Sequence, residues 1–190
     1  MTFAIFLALA YLLGAVPFGL LVAKSRGIDI RKKGSGNIGA TNVFRCVGKG
    51  WGLFTFALDA LKGFIPAFVF PRIAGLDPDY GVWLGLIAII GHSFPVYLKF
   101  KGGKGVATYA GLLLFTTLPG FLVAAPVWFL VFGVTRISSL AALTAAVFVP
   151  PGAYLLGEHN PVVLVGLTLL SLFVFWTHRA NISRLLKGTE

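Results

Sequence analysis

Ser35, Asn37, Thr41 and Asn42 stand among three glycines in the run Arg31-Lys32-Lys33-Gly34-Ser35-Gly36-Asn37-Ile38-Gly39-Ala40-Thr41-Asn42-Val43-Phe44-Arg45. Glycines let backbone N–H groups approach an oxyanion and adopt positive φ, and the two hydroxyls can donate hydrogen bonds. A helix starting near Thr41 would add its positive end. Such a loop suits a phosphate group. A solvated Gly-Ser-Asn linker whose basic residues only orient the protein would read the same way.

A second polar run, Phe100-Lys101-Gly102-Gly103-Lys104-Gly105-Val106-Ala107-Thr108, resembles a phosphate loop without being one. A P-loop needs G-x-x-x-x-G-K-[ST] after a strand, whereas here Gly105 follows the lysine and no strand is expected. What remains is a Gly-rich turn directly before an apolar helix, with Lys104 as a point charge near the helix start. A basic loop that merely sets membrane orientation is the simpler alternative. The third run, His178 to Glu190, leaves the last apolar stretch with the pattern of an interfacial amphipathic helix, and a helical spacing puts His178 and Asn181 on one face. His178 could relay a proton or hold a phosphate oxygen; a histidine at a membrane boundary is otherwise a tolerated polar residue.

These runs need elements to hold them, and composition says of what kind. The 190 residues are 57% hydrophobic and 12% charged, more apolar surface than one soluble core could hide, so the bilayer must be the solvent. The expectation is an all-α polytopic membrane protein forming a single domain over 1–190. Apolar runs punctuated by charge, Pro and Gly give about seven transmembrane helices, near 2 to 23, 51 to 71, 80 to 98, 105 to 118, 121 to 135, 137 to 156 and 161 to 177. The first lacks the basic n-region and cleavage site of a signal peptide and is expected to stay. The fourth and fifth are short and joined by Leu118-Pro119-Gly120, so they could instead form a re-entrant hairpin. With the N-terminus outside and the C-terminus cytoplasmic, every Lys and Arg except Lys62 and Arg72 falls on the inside, as the positive-inside rule requires. No internal repeat of the kind that builds transporters from two halves is visible.

The net charge of +10 is accounted for by this topology and by contact with anionic headgroups, so no nucleic-acid partner is expected. A single cysteine, Cys46, allows neither an internal disulfide nor a zinc site. Six acidic residues, scattered along the chain, offer no carboxylate cluster to a magnesium ion, and neither metal nor cofactor is expected. Asp59 and Lys62 stand three apart inside the second span, where mutual pairing or contact with an inner cavity would offset their cost. His92, near the cytoplasmic end of the third, could border the same cavity or simply pack between helices.

Taken together, Ser35-Gly36-Asn37-Ile38-Gly39-Ala40-Thr41-Asn42, then Gly102-Gly103-Lys104-Gly105-Val106-Ala107-Thr108, then His178-Arg179 with Asn181, Ile182, Arg184, Leu185 and Gly188-Thr189-Glu190 resemble the three cytoplasmic motifs of the bacterial acyl-phosphate:glycerol-3-phosphate acyltransferases, the PlsY family. Their order and spacing run over nearly the whole chain. The resemblance implies transfer of an acyl chain from acyl phosphate to the 1-position of glycerol 3-phosphate, giving lysophosphatidate and inorganic phosphate, at the cytoplasmic face of the bacterial inner membrane. It implies catalytic roles for Ser35, Arg45 and His178, and substrate contacts for Gly36, Asn37, Gly39, Ala40, Thr41, Asn42, Gly102, Gly103, Lys104, Gly105, Thr108 and Asn181. Ser139, at the start of the sixth span, could reach the same pocket, and Glu190 is expected to hold structure. The His-x4-Asp constellation of the common glycerolipid acyltransferases is absent.

An acyl phosphate is already an activated anhydride, so positioning, charge neutralisation and proton removal are the tasks left, and a single chain is expected to suffice. Either His178 or a substrate phosphate could take the proton. A Ser35–His178 nucleophilic pair remains open but is unnecessary. The rival readings are an organic-phosphate transporter, for which an intramembrane Asp59–Lys62 pair would also serve, and a scaffold that only holds anionic lipid or partner enzymes.

Overall fold

Inside hydrocarbon every backbone N–H and C=O must find its partner within the chain, and a helix is the element that does so alone. The computed structural model describes residues 2–190, which form helices, turns and loops. In chain order the α-helices are α1 (Thr2–Ala15), α2 (Phe18–Ser25), α3 (Ala40–Cys46), α4 (Lys49–Phe64), α5 (Phe70–Ala74), α6 (Tyr80–Ser93), α7 (Val106–Thr116), α8 (Leu118–Thr135), α9 (Ser138–Leu155), α10 (Pro161–Thr177) and α11 (Arg179–Leu186). A π-helical stretch, Ile65–Val69, carries α4 into α5, and short 3-10 turns occur at Ile30–Lys32 and Val96–Leu98.

Among the described residues five helical segments are long and apolar enough to cross a bilayer: Thr2–Ser25, Lys49–Ala74, Tyr80–Leu98, Leu118–Thr135 and Ser138–Leu155. A sixth is available if α10 and α11, bent by 60° at His178, count as one span. The fourth expected span, 105 to 118, is represented by α7, whose 11 residues reach only about 16 Å, too short to cross alone. Large apolar side chains such as Leu53, Phe129, Leu130 and Val134 are exposed, as lipid-facing positions should be.

Two compact units are distinguished, one ending at Leu112 and one spanning Leu113–Glu190. In the first, α1 packs on α6 and α3 on α4. Small residues make the approaches close: a Cβ at Gly14 or Gly91 would overlap the backbone of Ala88 or Tyr11, and one at Gly63 or Gly111 that of Thr108 or Ala60. Pro17, which has no N–H, interrupts the first span after Val16. The Val16 carbonyl accepts from Phe18 N (3.0 Å) and from Lys62 Nζ (3.0 Å). In the second unit α8 packs on α9 and α9 on α10, with Thr117 and Asn160 capping α8 and α10.

Candidate active site

Asn42 is the hub of the first loop. It is buried, and its Nδ2 donates towards the carbonyls of Asn37 (2.8 Å), Lys33 (3.0 Å) and Ile30 (3.3 Å), while Oδ1 accepts from Ser35 N (3.1 Å) and the Cys46 thiol (3.5 Å). Asn37 closes a smaller turn, its Oδ1 accepting from Gly39 N at 2.8 Å. Gly34 and Gly36 take φ of +58° and +71°, the left-handed region that favours glycine. Both amide ends of Asn42 are therefore engaged with its own loop, and its part in the site is to shape it. Ser35 is exposed with its backbone held, and its hydroxyl meets only a long 3.4 Å contact from Asn37 N. Arg45 is exposed on α3 and makes no ion pair among the described residues. Ahead of the loop, the Asp29 carboxylate caps the Ile30–Lys32 turn and binds Arg31 at 2.9 Å, which holds its carboxyl down to about 2.

Beneath this loop Ile30, Ile38 and Val43 join Leu20, Val22 and Ala23 in a hydrophobic cluster, and Leu98 packs against it. Leu98 leads into the second glycine run, so the approach to that run is anchored on the same floor. Lys99 and Phe100 both take positive φ, 51° and 62°, a conformation that costs non-glycine residues energy and reverses the chain here. The amides of Gly102 and Gly103 donate to the carbonyls of Ser93 (3.1 Å) and His92 (3.0 Å) at the end of α6. These two glycines thus dock the turn rather than cradle an anion with their own N–H groups. Lys104 is half-buried, and α7 begins just beyond Gly105, whose carbonyl accepts from Tyr109 N at 2.8 Å; Thr108 is buried in its first turn.

In the second unit His178 lies buried at the bend between α10 and α11. Its Nδ1 is 2.8 Å from the Val174 carbonyl, which can only accept, so Nδ1 carries the hydrogen and this bond fixes the ring at the bend. Glu190 gathers the rest: Oε1 accepts from Ser139 Oγ and Asn181 Nδ2, both at 2.5 Å, and Oε2 from Arg184 Nε at 2.7 Å. Sequence reasoning missed this link, since 51 residues separate Ser139 from Glu190.

Partial burial would raise the Glu190 carboxyl, but these three donors outweigh it and bring it from an ordinary 4.5 to about 2. Because the folded value is depressed, the carboxylate contributes stability above the unfolded value, and that contribution is lost as pH falls from about 4.5 to about 2. A 13C NMR titration of the Glu190 carboxyl should show a midpoint near 2, and Arg184→Ala should move it up towards 4.5. An unmoved midpoint would remove the guanidinium from the explanation.

The first unit therefore sets the 34–45 loop on a hydrophobic cluster that Leu98 joins and docks 102–105 on the end of α6, and the second brings Ser139, Asn181, Arg184 and Glu190 together near the α10–α11 bend. A sequence model described as glycerol-3-phosphate acyltransferase matches residues 4–188. A glycerol-3-phosphate acyltransferase of Hyphomonas neptunium is 60% identical over 182 residues, covering 95% of this chain and 87% of its own. One from Mesorhizobium japonicum is 51% identical, covering 100% and 96%. A crystal structure of PlsY (YgiH), an integral membrane glycerol 3-phosphate acyltransferase in its glycerol 3-phosphate form, is similar with a TM-score of 0.92 and 39% identity, covering 100% of this chain and 94% of that one. Matched over nearly its whole length and at these identities, the chain belongs to the glycerol-3-phosphate acyltransferase family.

Proposed function

We propose that this membrane protein transfers a fatty acyl group from acyl phosphate to the 1-position of glycerol 3-phosphate. The products are lysophosphatidate and inorganic phosphate. The acceptor hydroxyl attacks the acyl carbonyl, the bond to the phosphate oxygen breaks, and the hydroxyl proton passes to a base. The observation that carries this reading is the exposed Ser35 hydroxyl on a loop immobilised by Asn42, with the unpaired Arg45 guanidinium nearby in sequence. Two phosphorylated substrates must meet: Lys104, on the 102–105 turn, holds the phosphate of glycerol 3-phosphate, and Arg45 and backbone donors neutralise the charge of the acyl phosphate. His178, whose Nδ1 is tied to the Val174 carbonyl, and the substrate phosphate are the two groups that can take the proton. Asn181 and Ser139 reach the substrates through the arrangement that Glu190 sets.

The donor is activated already, so no metal is needed for the chemistry, and one chain carries every group invoked. The distribution of Lys and Arg supports seven crossings with the N-terminus outside and the reaction at the cytoplasmic face of a bacterial inner membrane, α7 crossing only in company with its neighbours. The Asp59–Lys62 pair, which an anion path could have used, is closed on itself at 2.8 Å.

The test is product formation by detergent-purified protein with glycerol 3-phosphate and, in parallel, acyl phosphate, acyl-CoA or acyl carrier protein, without added metal. Lysophosphatidate and phosphate from acyl phosphate alone are expected. Activity with a thioester only would overturn the donor, and phosphate-ester uptake by sealed vesicles without acyl product would favour a transporter.

A further inference from the structure

Three polar side chains of α4, Thr55, Asp59 and Lys62, are buried at helical spacing on one face of the second span. Charges there are costly even when paired, because both ions give up hydration. Lys62 Nζ meets Asp59 Oδ1 at 2.8 Å and donates to the Val16 carbonyl at 3.0 Å. A further polar group completes the set. The ring of His92, on α6, places Nδ1 3.8 Å from Asp59 Oδ1, and this nitrogen has no hydrogen-bond partner. The remainder of the ring lies under the second glycine turn: a Cβ at Gly103 would meet Nε2, Cε1 and Cδ2 before any other atom. The His92 carbonyl also accepts from Gly103 N at 3.0 Å. His92 thus holds the turn by its backbone and supports it with its ring, and the ion pair stands behind the ring.

We propose that Asp59, Lys62 and His92 are positioning residues: the buried pair orients the His92 ring, and the ring is the seat on which Gly103 rests, which fixes where Lys104 stands. None of the three touches substrate. The inference rests on the reading of the 102–105 turn as the place where the acceptor's phosphate is held. A seat that shifts displaces Lys104 from that phosphate while leaving the acyl donor's site untouched. Binding of one substrate should then suffer selectively.

The experiment compares steady-state constants for both substrates in purified, folded protein. His92→Ala and Asp59→Asn should each raise KM for glycerol 3-phosphate about tenfold, with KM for the acyl donor within about threefold. Should Asp59→Asn alone fail to fold, the neutral pair Asp59→Asn with Lys62→Met should fold and show the same selective rise. Gly103→Ala should be more damaging than either, and His92→Ala added to it should recover part of the loss, because the overlap is with the ring. Equal shifts for both substrates, or no shift, in variants that melt like the parent while Lys104→Ala does raise KM for glycerol 3-phosphate, would overturn the positioning role alone. An unchanged KM in Lys104→Ala would overturn the reading of the turn, and the inference with it.

Discussion

The Ser35→Ala variant should turn over about a hundredfold more slowly, equivalent to ~3 kcal/mol of transition-state stabilisation, with KM for glycerol 3-phosphate within about threefold. The split between the two constants follows from the loop. The Ser35 amide is held by Asn42 Oδ1 and its neighbours by the left-handed turns at Gly34 and Gly36, so removing the hydroxyl leaves the loop's path in place. Only the 3.4 Å contact from Asn37 N is lost internally. A donor held this way costs nothing to arrange as charge develops on the acyl carbonyl oxygen, and that is where its loss is felt. Unchanged turnover would exclude Ser35 from the chemistry. Isolation of an acyl-Ser35 enzyme would instead make it the nucleophile.

A larger effect is expected at a residue that touches no substrate. Asn42→Asp preserves shape but replaces the donating Nδ2 with an acceptor among the carbonyls of Ile30, Lys33 and Asn37. Each buried group left unsatisfied costs about 1–3 kcal/mol, and a buried negative charge facing acceptors adds to that. Activity should fall below about a thousandth of the parent's, since a loop reshaped by even 1 Å loses about a hundredfold before the lost stability is counted. The melting temperature should fall as well, unlike that of Ser35→Ala. A fully active, equally stable Asn42→Asp protein would show that the loop does not need its hub.

The apolar helices were legible because hydrocarbon imposes one pattern on them. The second span expected at 51 to 71 lies within Lys49–Ala74; the third, 80 to 98, coincides with Tyr80–Leu98. Residues 105 to 118 were harder, because an apolar run says nothing of where Gly105 and Thr117 end a helix, and α7 is shorter than the run. The polar segments stood out by composition, yet composition cannot separate an asparagine that meets a ligand from one that closes its own loop. Asn42 and Ser35 look alike in sequence and differ in burial and partners. Pairing of Asp59 with Lys62 could be read from their spacing of three. His92 could be placed beside the same cavity but not against a particular atom, and the Val16 carbonyl could not be read at all, since it lies 46 residues from Lys62 and is brought there only by tertiary packing.

The interruption at Pro17 also bears on how the chain enters the membrane. Segments emerge in order from the N-terminus, so the first span is in place before the second carries Asp59 and Lys62 into lipid. In a straight first helix the Val16 carbonyl would accept from the N–H four residues on; at the break it accepts from Phe18 N instead and keeps a second lone pair for Lys62. Broken at Val16, it presents a carbonyl in advance, and the carboxylate of Asp59 comes in on the same turn as the ammonium it neutralises. His92 follows a span later. The buried Lys62 ammonium therefore has its partners at hand from the moment of insertion, without waiting for the rest of the chain to be synthesised.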